Sequence, residues 1–73
     1  MEEDIILDIV STVSGNKEIR VDNSLSSLDI DSLDIIEIIG IIEGTFNIIV
    51  PSKYTFHKVY DFINVVNVLY EGD

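Results

Sequence analysis

The sequence predicts an all-α fold, a bundle of four helices in which three helices are long and one is short. Apolar residues recur at helical spacing in three segments of the chain. Residues typical of a helix start precede the second segment, and Gly or Pro lies between successive segments. The 73 residues are 47% hydrophobic and include no cysteine. We therefore expect a single folded domain, residues 1–73, with a small core and no disulfide framework.

The first helix is expected from about Glu3 to Ser14. Its apolar residues recur at intervals that put them on one stripe: Ile6, Ile9, Val10 and Val13. Gly15 follows as a stop signal, since glycine readily adopts the left-handed conformation that ends many helices. Residues 16–30 then form a long polar connection, which aliphatic residues should pin to the core: Ile19, Val21, Leu25 and Leu28.

The second helix is expected to run from Ser32 to about Phe46. Asp31 is a good N-cap, and Asp34 lies where a capping box has its second acid. With residues about 100° apart, one face forms a core stripe of Ile35, Ile38, Ile39, Ile42 and Phe46. The opposite face mixes apolar and acidic residues: Leu33, Ile36, Glu37, Gly40 and Glu43.

The remaining chain is expected to hold the short helix and the last long one. Residues 47–51 end the second helix, and Ser52 to about Phe56 can form one helical turn after Pro51. The last helix has a stripe of Val59, Phe62, Ile63, Val66 and Tyr70. Gly72 is expected to end the fold.

The charge of the chain restricts its partners. Fourteen acids against four bases give a formal charge of −10, which argues against nucleic acid because phosphate contacts need Lys and Arg. Between Arg20 and Lys53 there are six acids and no base, a run that by itself predicts a solvated face. Combined with the serine motif described below, it indicates a docking surface for basic patches on enzymes. We expect a cytoplasmic monomer without membrane insertion, since the start lacks a basic leader and the longest apolar stretch is short.

No catalytic or metal site is expected from the residue pattern. Asp29 and Asp31 could open a calcium loop, but Asp34 stands where that loop needs Gly and Gly40 where it needs Glu. His57 is the only histidine and is expected at the surface. We therefore do not expect an enzyme.

The segment Leu28-Asp29-Ile30-Asp31-Ser32-Leu33 resembles the attachment motif of acyl carrier proteins and related peptidyl carriers, usually Leu-Gly-x-Asp-Ser-Leu. The resemblance continues through Phe46-Asn47-Ile48, Val50-Pro51 and Val59-x-Asp61-x-Ile63, and so covers essentially the whole chain. It implies an acyl-carrier-like bundle in which a 4'-phosphopantetheine arm is attached covalently to Ser32. The thiol of that arm would carry acyl groups as thioesters.

The resemblance also implies which partners and surfaces to expect. The partners are a phosphopantetheinyl transferase and acyl-loading and acyl-processing enzymes with basic docking patches. The residues that match docking positions of the family are Asp31, Leu33, Asp34, Ile36, Glu37 and Glu43. The expected function is to carry acyl intermediates of fatty-acid, polyketide or related biosynthesis.

Two departures from the family pattern keep alternatives open. Asp29 replaces the usual glycine, and Gly40 replaces a larger apolar docking residue of fatty-acid carriers. An aminoacyl or peptidyl carrier of a specialised pathway is one alternative. The other is an unmodified helical interaction module that binds partners through its acidic face. Modification of Ser32 distinguishes a carrier from such a module.

Overall fold

A computed structural model describes residues 2–70 as an all-helical bundle of three α-helices. The helices are α1 (Glu2–Ser14), α2 (Ser32–Phe46) and α3 (Val59–Leu69), and a 3-10 turn at Ser26–Leu28 interrupts the connection from α1 to α2. No helix within the described range is long and apolar enough to cross a membrane. The predicted all-α class is confirmed, whereas Gly72 lies outside the described residues.

Both ends of α1 and α2 follow local signals in the sequence. Acids occupy the first turn of α1, where the helix dipole favours them, and Gly15 takes a left-handed φ of 78° just after its end. Helix α2 begins after the N-cap Asp31 and ends at Asn47, which is also left-handed, with φ of 57°. The backbone amide of Ile48 then donates to the carbonyl of Glu43. The predicted bounds of α2 are confirmed.

The start of α3 is held by the long connection. The amides of Val59 and Tyr60, which have no acceptor within their own helix, donate to the carbonyls of Asn23 and Val21 at 3.0 and 2.9 Å. The amide of Leu25 donates to the carbonyl of His57 at 2.9 Å, and an antiparallel bridge joins Ser24 and Lys58. The connection is therefore part of the packed structure and not a free loop.

The core lies between the three helices and includes two residues of the connection. Phe56 stacks on Phe62 with ring centroids 4.8 Å apart, and Tyr70 packs edge-on against Phe46 at 5.1 Å. The buried apolar residues are Ile6 and Val10 of α1, Leu25 and Ile30 of the connection, Ile38, Ile42 and Phe46 of α2, and Val59, Phe62, Ile63, Val65 and Val66 of α3.

The structure departs from the prediction at the short helix. Residues 52 and 53 form a turn, and residues 54–56 have no regular secondary structure. The reason is tertiary pairing. The end of this segment lies beside Ser24 and Leu25: the carbonyl of His57 accepts from the amide of Leu25, and Lys58 forms a bridge with Ser24. The predicted helix from Ser52 to Phe56 is therefore not formed.

Candidate functional site

Ser32 is the first residue of α2, and its side chain is exposed to solvent. Within residues 2–70, no hydrogen bond engages the Ser32 hydroxyl. Its backbone amide and that of Leu33 lie in the first turn, where helix amides have no acceptor inside the helix. The residue therefore offers a free hydroxyl at the positive end of a helix dipole.

The acids on either side of Ser32 form the predicted capping box. Asp31 Oδ1 accepts from the amide of Asp34 at 3.0 Å, and Asp34 Oδ2 accepts from the amide of Asp31 at 3.4 Å. The carbonyl of Asp31 accepts the first helical hydrogen bond, from the amide of Ile35 at 2.9 Å. These bonds fix the backbone before and after Ser32 while leaving its hydroxyl exposed.

The chain reaches Asp31 through a tight reversal at Asp29. Asp29 is left-handed, with φ of 58° and ψ of 33°, and its amide donates to the carbonyl of Ser26 at 3.1 Å. The amide of Ile30 donates to the carbonyl of Leu25 at 3.0 Å, and the Ile30 side chain is buried. The reversal thus anchors Ile30 in the core and leaves the next two residues outside.

The left-handed backbone of Asp29 is a feature that the residue pattern alone did not predict. Its backbone conformation is one that glycine adopts freely and that other residues adopt at a cost, which is smallest for Asn and Asp. The signal was present in the sequence as the departure from Leu-Gly-x-Asp-Ser-Leu, because the usual glycine of that motif falls on this residue.

The outward face of α2 exposes apolar side chains close to Ser32. Leu33 and Ile36 are 73% and 66% exposed, and Glu37 and Gly40 are exposed beside them. Asp31 is exposed and Asp34 is half-buried within the capping box. The structure therefore brings five of the six expected docking residues together in residues 31–37: Asp31, Leu33, Asp34, Ile36 and Glu37.

Glu43 is set apart from those five residues. It is half-buried, and its Oε2 accepts from the amide of Val50 at 2.8 Å. It lies at the edge of the outward face, where the chain leaving α2 folds back over it. Its carboxylate thus also holds the segment after α2, and its role in docking stays a prediction.

A surface cleft of about 340 Å³ opens next to the start of α2. Its apolar lining consists of Leu25, Ile30, Ile35 and Phe56, and its polar lining consists of Ser24, Ser26, His57 and Lys58. Ile35 lies three residues after Ser32, so the two are neighbours on the helix surface. The sequence pattern did not reveal this cleft, because it depends on the pairing of residues more than 30 positions apart, Ser24 and Lys58.

A family model described as "Phosphopantetheine attachment site" matches residues 4–64. A search of curated proteins found no match, and neither did a search of solved structures. The matched range includes the capped serine, the outward face of α2 and all residues that line the cleft.

Proposed function

The chain belongs to the phosphopantetheine-attachment family of non-catalytic carriers, and we propose that Ser32 is the residue that carries the arm. Family members hold 4'-phosphopantetheine covalently on a serine. The observation that carries the assignment is the exposed Ser32 hydroxyl at the capped start of α2, within Asp31-Ser32-Leu33. By contrast, the hydroxyl of nearby Ser27 donates to the carbonyl of Ser24 at 2.8 Å. We propose that the carrier domain comprises residues 1–73.

The surroundings of Ser32 suit an attached phosphodiester. The first-turn amides and the helix dipole favour a negative group there. The carboxylates of Asp31 and Asp34 are turned to backbone amides by the capping box, which reduces their repulsion of the phosphate. When bound, the arm supplies a thiol that holds an acyl group as a thioester.

The role proposed for this chain is presentation of the cargo and not catalysis. A flexible tether raises the effective concentration of its thioester at whichever enzyme is docked. The docking surface is formed by the exposed Leu33 and Ile36, with Asp31, Asp34 and Glu37 beside them to attract basic patches. The role proposed for Glu43 is indirect: its carboxylate fixes the segment that follows α2.

We propose that the partners are a phosphopantetheinyl transferase and enzymes of fatty-acid, polyketide or related biosynthesis, met by a cytoplasmic monomer. An aminoacyl or peptidyl carrier is the alternative with the same chemistry at Ser32, and it is distinguished by what loads the arm. An unmodified acidic interaction module is the alternative without that chemistry. The match of the family model to residues 4–64 favours a carrier.

The attachment is tested by intact mass after incubation with coenzyme A and a broad-specificity phosphopantetheinyl transferase. We expect the wild-type chain to gain the mass of one phosphopantetheinyl group. Ser32→Ala should gain none, and the control Ser27→Ala should behave as wild type. A wild-type chain that stays unmodified with several transferases would contradict the carrier function.

The docking surface is tested by the rate of that modification. Glu37→Lys should slow it by about tenfold, since reversing a charge beside the docking site opposes a basic partner. Asp8→Lys makes the same change of charge on the exposed side of α1 and should keep the wild-type rate within about twofold. Helical content measured by circular dichroism should be equal in both variants. Equal slowing by the two substitutions would show a general charge effect and no docking at α2.

A further inference from the structure

The segment that follows α2 presents one large apolar side chain to solvent. Ile49 is 84% exposed, more than Leu33 at 73% or Ile36 at 66% on α2. Its two neighbours, Ile48 and Val50, are half-buried and pack against the core. The segment is therefore fastened to the bundle on both sides of Ile49, while the Ile49 side chain itself contributes little to the core.

The backbone on both sides of Ile49 is held by Glu43. The amide of Ile48 donates to the Glu43 carbonyl at 3.2 Å, and the amide of Val50 donates to Glu43 Oε2 at 2.8 Å. Pro51 follows, and its ring fixes its own φ and restricts the residue before it. A side chain on such a fixed backbone loses little conformational entropy when a partner covers it, which favours binding.

These bonds place Ile49 near the end of the outward face of α2 that lies away from Ser32. Glu43 is at the edge of that face, and it follows Ile36 by about 10 Å along the helix. Gly40 lies between them, where an added Cβ meets no atom within 4 Å. Exposed apolar side chains therefore stand toward both ends of the outward face, with a low region between them.

The charge pattern differs between these two ends. Near Ser32, the exposed apolar side chains stand among acids, which attract basic patches. From Gly44 to Ser52 the chain carries no charged residue, and the carboxylate of Glu43 is turned to a backbone amide. A partner that covers Ile49 would therefore meet it with an apolar surface and not with a basic one.

An enzyme that reaches Ser32 across α2 is large enough to cover Ile49 as well. A standard protein interface buries about 800 Å² on each partner, which corresponds to a patch about 30 Å across. Helix α2 has 15 residues and is therefore about 22 Å long. A footprint of that size, extending along α2 from Ser32, would include the residues that follow the end of the helix.

We infer that Ile49 is a docking residue for the phosphopantetheinyl transferase, and that it meets an apolar surface beside the basic patch of that enzyme. This inference rests on the proposed attachment of the arm to Ser32. It adds a residue outside α2 to the docking surface, and it gives the Glu43 carboxylate the role of holding that residue in place.

The test measures KM and kcat for modification of the full chain by a broad-specificity phosphopantetheinyl transferase, with the carrier as the varied substrate. Ile49→Ser removes the apolar side chain, and Ile49→Leu keeps its apolar area. Val68→Ser is the control, because Val68 is 59% exposed on α3 and lies outside the docking surface. The melting temperature and the sedimentation velocity are measured for each protein.

Ile49→Ser should raise KM by about fivefold with little change in kcat, because an apolar contact is lost while the chemistry at Ser32 is unaltered. Ile49→Leu should recover most of this loss, and Val68→Ser should keep KM within about twofold of the wild type. All melting temperatures should agree within about 3 °C, since the substituted side chains are exposed.

Three results would overturn the inference while leaving the carrier function intact. The first is an unchanged KM in Ile49→Ser or an equal rise in Val68→Ser. The second is a rise in KM that comes with a lower melting temperature and is not reversed in Ile49→Leu, which would show a structural role. The third is a wild-type dimer that becomes a monomer in Ile49→Ser, which would show that a second copy covers this residue. A wild-type chain that takes no arm would overturn the carrier function as well.

Discussion

Asp29 replaces the usual glycine of the family motif at a position where the backbone is left-handed. Its left-handed backbone, with φ of 58°, turns the chain so that Ile30 enters the core and Ser32 faces solvent. A glycine, which has no Cβ to contact the backbone, would adopt this conformation without strain, whereas an aspartate adopts it at a cost. The geometry that exposes Ser32 is thus maintained here against a local preference.

Asp29→Gly should raise the free energy of unfolding by about 0.5–1 kcal/mol, because relief of the left-handed strain exceeds the extra entropy of glycine in the unfolded chain. The measurement is urea unfolding followed by circular dichroism. Asp29→Asn is the control, since it removes the charge and keeps a side chain that tolerates the left-handed region. If Asp29→Gly is no more stable than Asp29→Asn, the charge of Asp29, and not its backbone strain, is what lowers the free energy of unfolding in the wild type.

Helix periodicity and capping predicted the elements well where the determinants are local. The bounds of α2 follow from Asp31 at one end and the residues after Phe46 at the other, and the capping box forms as expected. The predicted stripe of α3 omitted Val65, which is buried, so the buried surface of this helix is wider than one stripe. Ile35 and Ile39 are half-buried at the margins of the predicted stripe.

Long-range pairing explains what local patterns could not predict. The segment from Ser52 to Phe56 has the residues for a helical turn after Pro51, yet the extended pairing of Ser24 with Lys58 prevails. The same pairing brings Ser24 and Lys58 together in the lining of the cleft. In the candidate site, Ser32 and its capping acids were therefore predictable from sequence. The left-handed Asp29 was marked only by its replacement of the glycine of the family motif, and the cleft was not predictable.

Gly40→Ala should raise the free energy of unfolding by up to about 1 kcal/mol. Gly40 lies in the middle of α2 on the exposed face, and a Cβ added there meets no atom within 4 Å. Alanine loses less conformational entropy than glycine when a helix forms.

Gly15→Ala is the control for that substitution. It also has open space around a new Cβ, but its φ of 78° strains any other residue, so it should lower stability. Both values come from urea unfolding. A clear loss of stability in Gly40→Ala would mean that Gly40 is not on the open face of α2.

The molecule as a whole carries a formal charge of −10 with little local compensation. Among residues 2–70, the ion pair within 4 Å joins Arg20 and Asp22, at 3.8 Å and with both side chains largely exposed. Such a pair contributes little to stability. Repulsion among the acids therefore opposes the folded state at low ionic strength, while the same charge favours encounter with basic partners.

Raising sodium chloride from about 20 to about 300 mM should raise the melting temperature by about 3–8 °C, because salt screens this repulsion. A variant carrying both Asp8→Lys and Glu37→Lys changes the charge from −10 to −6, since each substitution adds two positive units. It should show a smaller rise. A melting temperature indifferent to salt, or an equal rise in both proteins, would contradict charge repulsion as a limit on stability.

The central claim is that the arm is attached to Ser32, and the distribution of basic residues offers a direct test. Trypsin cleaves after Lys and Arg, so the absence of bases between Arg20 and Lys53 gives one peptide, residues 21–53, that contains Ser32 and five other hydroxyl residues. Tandem mass spectrometry of this peptide, after modification by the transferase, locates the arm. We expect it on Ser32 alone; an arm on Ser24, Ser26, Ser27, Thr45 or Ser52, or an unmodified peptide, would contradict the claim.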